Sequence, residues 1–147
     1  MLVKSPKLFL IAAVGDKAAG EDAAILLRRL LSLHCYAFSE HTHMRKRLKP
    51  GDRICFYPTS VKGIVADAEL TSHPKNGRIE GVTYPDQFVW SCQLNSIVQY
   101  FDKPVILDRS LRSKLDAFEG NNLDLWGWFV HGAHGISEHD FNLLIRR

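Results

Sequence analysis

Two stretches decide the architecture: Arg45-Lys-Arg-Leu-Lys-Pro-Gly-Asp-Arg-Ile-Cys-Phe-Tyr57 and, just beyond it, Lys62-Gly-Ile-Val-Ala-Asp-Ala-Glu69. Pro50-Gly51-Asp52 is a tight-turn signal. Arg53–Tyr57 then alternates, with Ile54 and Phe56 on one face and Cys55 and Tyr57 on the other, the period of a strand. Pro58–Gly63 reads as a hairpin connection. The strand Ile64–Leu70 follows, with Ile64, Ala66, Ala68 and Leu70 inward and Asp67 and Glu69 outward. Two adjacent strands joined by a short loop predict an antiparallel pair, with Ile54, Phe56, Ile64, Ala66 and Ala68 in one shared core.

Working outward, Lys7–Val14 is apolar on both parities, as in a strand buried on both faces. Gly15-Asp16 breaks it. From Glu21 to Leu33 the apolar positions Ala23, Leu27, Leu30 and Leu31 recur at helical spacing. His34–Leu48 is polar and irregular, and Ser72–Asp86 reads as a long surface loop. Phe88–Phe101 resumes strand character, with Trp90, Cys92 and Leu94 on one side. Val105–Leu107 is a short strand. Asp108 and Ser110 are both N-cap candidates for a helix near Leu111–Phe118. Gly132–Gly135 reads as a loop, and Ser137 caps a last helix, with Asp140 in the capping-box position. With strands grouped rather than alternating with helices, the order favours a compact mixed barrel over βαβ units.

Composition sets the outer bounds. The chain has 147 residues, 46% hydrophobic and 24% charged, a length that suits a single domain spanning 1–147 and excludes disorder as its organising principle. The longest uncharged apolar run, Leu8–Gly15, is far short of a membrane span. Two lysines precede it and no small-residue cleavage site follows, so no secretory leader is expected. Cys35, Cys55 and Cys92 are odd in number and lack CxxC spacing, which points to three buried thiols in a reducing, cytoplasmic setting. The formal charge of +3 permits an anionic partner without demanding one.

Catalytic signatures are missing from the sequence: there is no GxSxG, Walker A loop, GxGxxG or HExxH. Accordingly no catalytic residue, metal or cofactor is expected. His131 and His134 form an HxxH and His41 and His43 an HxH, but two histidines supply only part of a metal site. A binding signal is present. Arg45, Lys46, Arg47 and Lys49, with Arg53 beyond the turn, lie beside Tyr36, Phe38, His41, His43, Phe56 and Tyr57. Cations neutralise phosphates and aromatic faces stack bases, the combination that single-stranded or extruded nucleic acid requires. The alternative is a solvated basic loop beside core aromatics.

These motifs together resemble the EVE domain of the PUA-like superfamily. The resemblance rests on Tyr36-Ala-Phe-Ser-Glu-His-Thr, the basic stretch ending in Lys49-Pro-Gly-Asp, the strand ending in Phe56-Tyr57, and the Gly63-Ile-Val-Ala strand. Phe101-Asp-Lys-Pro and Ile136-Ser-Glu-His-Asp-Phe add to it, so the match runs from about Leu8 to Ile145. It departs at Tyr36, where relatives carry Trp, and at Ala37, where Gly is usual. The resemblance implies an α+β fold, a PUA-like mixed β-barrel of roughly five to six strands with peripheral α-helices, and no enzyme activity. It also implies nucleic acid, DNA or RNA, as the partner, with a modified base such as methylated or hydroxymethylated cytosine held in an aromatic pocket. A protein partner supplying effector activity is compatible with it.

Carried onto this chain, the pocket takes Tyr36, Phe38, Ser39, Tyr57, Asp67 and Trp90. Ser39, Glu40, Asp67 and Asn95 are candidates to read the polar edge of a base. Phosphate contacts fall to Arg45, Lys46, Arg47, Lys49 and Arg53. Trp126 and Trp128 stay open between packing of the C-terminal segment and a ligand-facing role. The runner-up is a small-molecule or protein-interaction module using the same pocket.

Overall fold

The computed structural model describes residues 7–39, 46–77, 79 and 85–146. In chain order the strands are β1 Phe9–Val14, β2 Cys35–Phe38, β3 Arg53–Pro58, β4 Gly63–Ile64, β5 Ala66–Leu70, β6 Lys75–Asn76, β7 Trp90–Gln99, β8 Val105–Ile106 and β9 Ala133–Ile136. The helices are α1 Asp16–Ala19, α2 Ala23–Ser32, α3 Arg109–Ser113 and α4 Glu138–Leu144, with 3₁₀ turns at Asp116–Phe118 and Gly127–Val130. The main sheet runs β2-β7-β5-β3-β1-β9, with β6 pairing β7, while β4 and β8 make a separate pair. Among the described strand pairs only β1 and β3 are parallel. The result is a mixed α+β half-barrel with helices at its periphery, the class the sequence predicts. No described helix is long and apolar enough to cross a membrane.

The Pro50-Gly51-Asp52 turn holds this sheet in register. Gly51 takes φ +96°, a region that costs other residues free energy and glycine little. Its N–H donates to Leu70 O at 2.8 Å, and Leu70 N returns a bond to Asp52 O at 2.8 Å. The Asp52 side chain, 0% exposed, accepts from Leu8 N at 2.9 Å, Lys49 N at 3.0 Å and Lys49 Nζ at 2.8 Å. One carboxylate thus pins the start of β1, the basic stretch and the start of β3.

Both faces of β1 and β3 are buried, in two cores. Leu10, Ala12, Ile54 and Phe56 belong to the main core, with α2 (Leu26, Leu27, Leu30, Leu31) and β2. Ile11, Cys55 and Tyr57 point the other way, into a second core built by Leu107, Leu115, Phe118, Phe129, Phe141 and Leu144. This is why Lys7–Val14 reads apolar on both parities. Arg112 fastens the second core's covering: its guanidinium donates to Leu107 O and Leu123 O and lies 4.6 Å from the Trp126 ring centroid.

Several predicted features are found in place. β3 and β5 are antiparallel, with Ile54 opposite Ala68 and Phe56 opposite Ala66. Asp108 caps α3 through Leu111 N and Ser137 caps α4 through Asp140 N; Asp22, inside the helix read from Glu21 to Leu33, is instead its N-cap, accepting from Ala24 N. The three cysteines are free and buried. Burial pushes the Cys92 thiol up to about 12 and the Cys55 thiol higher still, so both stay protonated.

Six expectations are corrected. Ile64 lies in the second core, not with Ala66 and Ala68, because the chain leaves strand geometry at Val65 and the inward parity changes there. Cys35–Phe38, read as irregular, is the edge strand β2; all four residues are buried, so no alternation marks it. Ala133–Ile136, read as a loop, is the opposite edge strand β9, recruited by backbone pairing to β1 despite its poor strand formers. Within Ser72–Asp86, Lys75–Asn76 pairs with β7. The helix near Leu111–Phe118 divides into α3 and a 3₁₀ turn. Asp140 accepts from Asp116 N and Ala117 N, so it ties α4 to that turn rather than closing a capping box.

Asp52→Ala strands Leu8 N and Lys49 N without their acceptor and removes the carboxylate that the Lys49 ammonium meets. The expected loss is about 3–5 kcal/mol, read by urea unfolding. Lys49→Ala leaves the buried carboxylate its two backbone donors but removes its ammonium partner, and is expected to cost less, about 1.5–3 kcal/mol.

Candidate functional site

The seam of the half-barrel, where β2 comes round towards the last residues of β1, encloses a cavity of about 690 Å³. Its floor is aliphatic, from Leu26, Leu27 and Leu30 of α2 and Val14 of β1. Its aromatic wall is Tyr36, Phe38 and Phe88, and its rim is Gly15, Ser39, Thr59 and the loop from Val130 to Ala133. Tyr36 is braced on both sides, 5.7 Å from Phe38 and 5.1 Å from Phe56 between ring centroids. Burial raises the Tyr36 phenol pKa, so it is an O–H donor at neutral pH. Among the described residues no Asp, Glu, Lys or Arg lines the cavity. A charged ligand would lose its hydration there with nothing to replace it. The site suits a neutral, flat, partly apolar group.

Three of the six predicted pocket residues, Tyr36, Phe38 and Ser39, meet in this cavity. Trp90 stands opposite Phe38 in the β2–β7 register and packs against the main core. It is not among the cavity's lining residues, and its Nε1 is buried with no partner among the described residues. Tyr57 and Asp67 are elsewhere. The alternation of β3 does turn Tyr57 away from Ile54 and Phe56, but that face is roofed by the C-terminal elements, and Tyr57 is 4% exposed in the second core. Asp67, 0% exposed, accepts from Arg53 Nη2 at 3.0 Å and Tyr100 Oη at 3.0 Å. Burial first, and then the Asp67 carboxylate, push the Tyr100 phenol up. Asn95 is exposed on β7, opposite Glu69. Glu40 lies outside the described residues.

The basic stretch divides in the same way. Arg53 is committed to Asp67 and lies 5.2 Å from the Phe141 ring centroid, so it is a structural cation rather than a phosphate ligand. Lys49 is held by Asp52. Lys46 and Arg47 are exposed, and Arg45 lies outside the described residues, as do His41 and His43. Arg47 lines a second cleft of about 510 Å³ with Lys7, Phe9, Gly135, Ile136 and Glu138. This cleft is at the opposite end of β1 from the cavity.

The two residues of the HxxH diverge. His131 is on the cavity rim, whereas His134 packs edge-on against Phe129 at 5.5 Å with Nε2 buried and unpartnered among the described residues. Asp116, His139 and Asp140 do place ligand atoms within 4.8 Å of one another. Their atoms are spoken for by Asp116 N, Ala117 N, Lys114 O and the Ser137 hydroxyl, a capping network. Trp126 and Trp128 belong to the second-core covering: Trp126 under Arg112, Trp128 against Phe118 at 5.1 Å.

The sequence does not distinguish Leu26, Leu27 and Leu30 as a ligand floor, because one apolar stripe serves core and cavity alike. The glycine-rich composition near Gly132 was the only trace of the rim.

No family model matches the chain, and no curated protein matches it either. Solved structures do. A YTH domain from Zygosaccharomyces rouxii, in complex with N6-methyladenosine RNA, is similar with a TM-score of 0.58 at 10% identity, covering 92% of this chain and 84% of that one. A Rhodopseudomonas palustris protein solved by NMR gives 0.57 at 10% identity, covering 93% and 90%. A hypothetical protein from Leishmania major gives 0.55 at 12% identity, covering 93% and 91%. The fold is that of a YTH/PUA-like barrel.

Two outcomes follow from this placement. Tyr57→Ala empties a packed site and is expected to cost about 3–5 kcal/mol of stability, with ligand binding by the remaining folded protein unchanged; calorimetric unfolding and titration on one sample check both. Burial holds His134 below its ordinary value of 6.5, so it stays neutral when folded while the unfolded chain takes up a proton. Its contribution is therefore intact above about pH 6.5 and is lost as pH falls from there towards the folded pKa. His134→Leu is expected to flatten the acid-side stability slope by up to ~1.4 kcal/mol per pH unit, measured by urea unfolding across that window.

Proposed function

We propose that this protein is a non-catalytic, EVE-like reader of nucleic acid that takes a modified base, such as methylated or hydroxymethylated cytosine, into the seam cavity. The observation that carries this reading is the cavity itself: uncharged, walled by Tyr36, Phe38 and Phe88, floored by leucines, and set in a YTH/PUA-like barrel. Its volume of about 690 Å³ falls in the range of small-molecule sites, ~300–1,000 Å³, and exceeds what one base needs. An extruded base costs a few kcal/mol to unstack. Aromatic contacts worth about 1–3 kcal/mol per base offset that, and Ser39, Thr59 and the Tyr36 hydroxyl are positioned at the cavity to meet a polar edge. A methyl group adds apolar surface and no charge, which suits the leucine floor. Discrimination against the unmodified base should then be about 10–200-fold, the worth of a methylene-scale contact. The YTH neighbour, solved with N6-methyladenosine RNA, supports a base-reading use of the fold and makes RNA a necessary arm of the test.

Titration with single- and double-stranded DNA and RNA, with and without methylated cytosine or adenine, tests this directly. A variant isolates the cavity. Gly15 has ordinary extended geometry, and a Cβ there meets nothing within 4 Å. Gly15→Phe is therefore expected to fold with stability within about 1 kcal/mol of the parent while losing the preference for the modified base. Unchanged preference in a folded Gly15→Phe protein refutes the cavity as the base site.

A further inference from the structure

The two cavities lie at opposite ends of one edge strand. Val130 to Ala133 form part of the aromatic cavity's rim, and Gly135, Ile136 and Glu138 line the cleft that holds Lys7 and Arg47. β9 runs between them and, among the described residues, pairs with β1 alone. On β1 the cleft begins at Phe9 and the cavity at Ala13. Those two residues are four strand steps apart, about 13 Å. We propose that one single-stranded polynucleotide occupies both: its extruded base in the aromatic cavity, its backbone along the outer edge of β9, and a neighbouring phosphate against Lys7 and Arg47. This rests on the base-reading function proposed above and adds the form of the ligand.

Charge and shape carry the inference. The cavity offers no cation to a phosphate, so the charge of the inserted nucleotide's own backbone must be met outside it. Lys7 and Arg47 are exposed cations gathered in one cleft. Along β9, Ala133 at the cavity and the exposed Gly135 at the cleft carry little or no side chain, and a missing side chain lets a ligand backbone approach closely. A span of about 13 Å exceeds the rise of one stacked nucleotide, ~3.4 Å per strand. The phosphate in the cleft therefore belongs to a residue about two to four nucleotides from the inserted base. Glu138 shares the cleft and opposes it, which sets a second, opposite variant.

Labelled single strands of one to eight nucleotides, each with one 5-methylcytosine or N6-methyladenine, provide the test. With the parent protein, affinity is expected to climb with length until about four nucleotides and then level off. In the exposed double variant Lys7→Ala/Arg47→Ala, binding of the modified mononucleoside is expected to be unchanged. The gain with length should shrink about tenfold, and the salt slope should fall by about 0.7 for each cation removed, the single-strand value. Glu138→Gln is expected to act in reverse, tightening only the longer strands. A length dependence untouched by all three substitutions, with modified-base preference intact, overturns the shared-strand proposal and leaves the base pocket standing. Loss of modified-base preference at every length in the parent protein overturns the pocket and this proposal together.

Discussion

A single buried carboxylate sets the geometry on which everything else rests. Asp52 accepts hydrogen bonds from the backbone ahead of β1 and from both the backbone and the ammonium of Lys49. The same turn exchanges backbone bonds with Leu70 at the end of β5. It thereby fixes the register of β1 against β3, the one parallel pairing among the described strands. Parallel neighbours have no hairpin to set their alignment, so a side-chain clamp does so. A slip of one residue would move Leu10, Ala12 and Val14 to the second core and Ile11 to the first. It would also displace Val14 and Gly15 from Thr59, and with them the mouth of the cavity.

The sheet that results is unusual for a small barrel in being covered on both sides where β1 and β3 run. That arrangement explains the fate of the polar residues in the centre of the sheet. A carboxylate at position 67, pointing away from the main core, would meet water in a one-sided sheet. Here it meets the C-terminal covering, and its burial is tolerable only with Arg53 and the Tyr100 hydroxyl as partners. Arg53 in turn shields its guanidinium against Phe141. These groups act as one unit that locks α4 onto the barrel, which removes two of the most promising sequence candidates from ligand chemistry. The same covering absorbs Tyr57 and Trp126, while Trp128 packs on Phe118 at its surface and stays 46% exposed.

This second layer marks the limit of what could be read in the sequence. Local rules carried well where local energetics decide: the turn at Gly51, the caps at Asp108 and Ser137, the amphipathic α2, and the alternation and antiparallel partner of β3. They failed for β2 and β9, whose strand state comes from pairing with distant neighbours. Cys-Tyr-Ala-Phe is uniformly buried, and Ala-His-Gly-Ile is held by the backbone of β1. Parity told which way Tyr57 and Asp67 point, and correctly. It could not tell what lies on that side, because pattern distinguishes two faces and not whether the outer one meets water, ligand or protein. Of the six residues expected in the pocket, Tyr36, Phe38 and Ser39 share the seam cavity, because β2 brings them to the open side of the sheet beside Phe88 and the Val130–Ala133 loop.

The division between a neutral cavity and a separate basic cleft has a physical rationale. Cations beside an uncharged cavity would favour any polyanion that reached it and would blur discrimination between bases, since phosphate attraction is indifferent to sequence. On the proposed reading, moving Lys7 and Arg47 to the far end of β9 leaves the cavity to judge a base by shape and apolar contact alone. The basic stretch is also taxed by the fold itself: Lys49 and Arg53 neutralise buried carboxylates. A run of cations that looks in the sequence like one binding motif is thus two populations. The inner pair holds the strands in place, and the outer residues, Lys46 and Arg47, are what a ligand can meet.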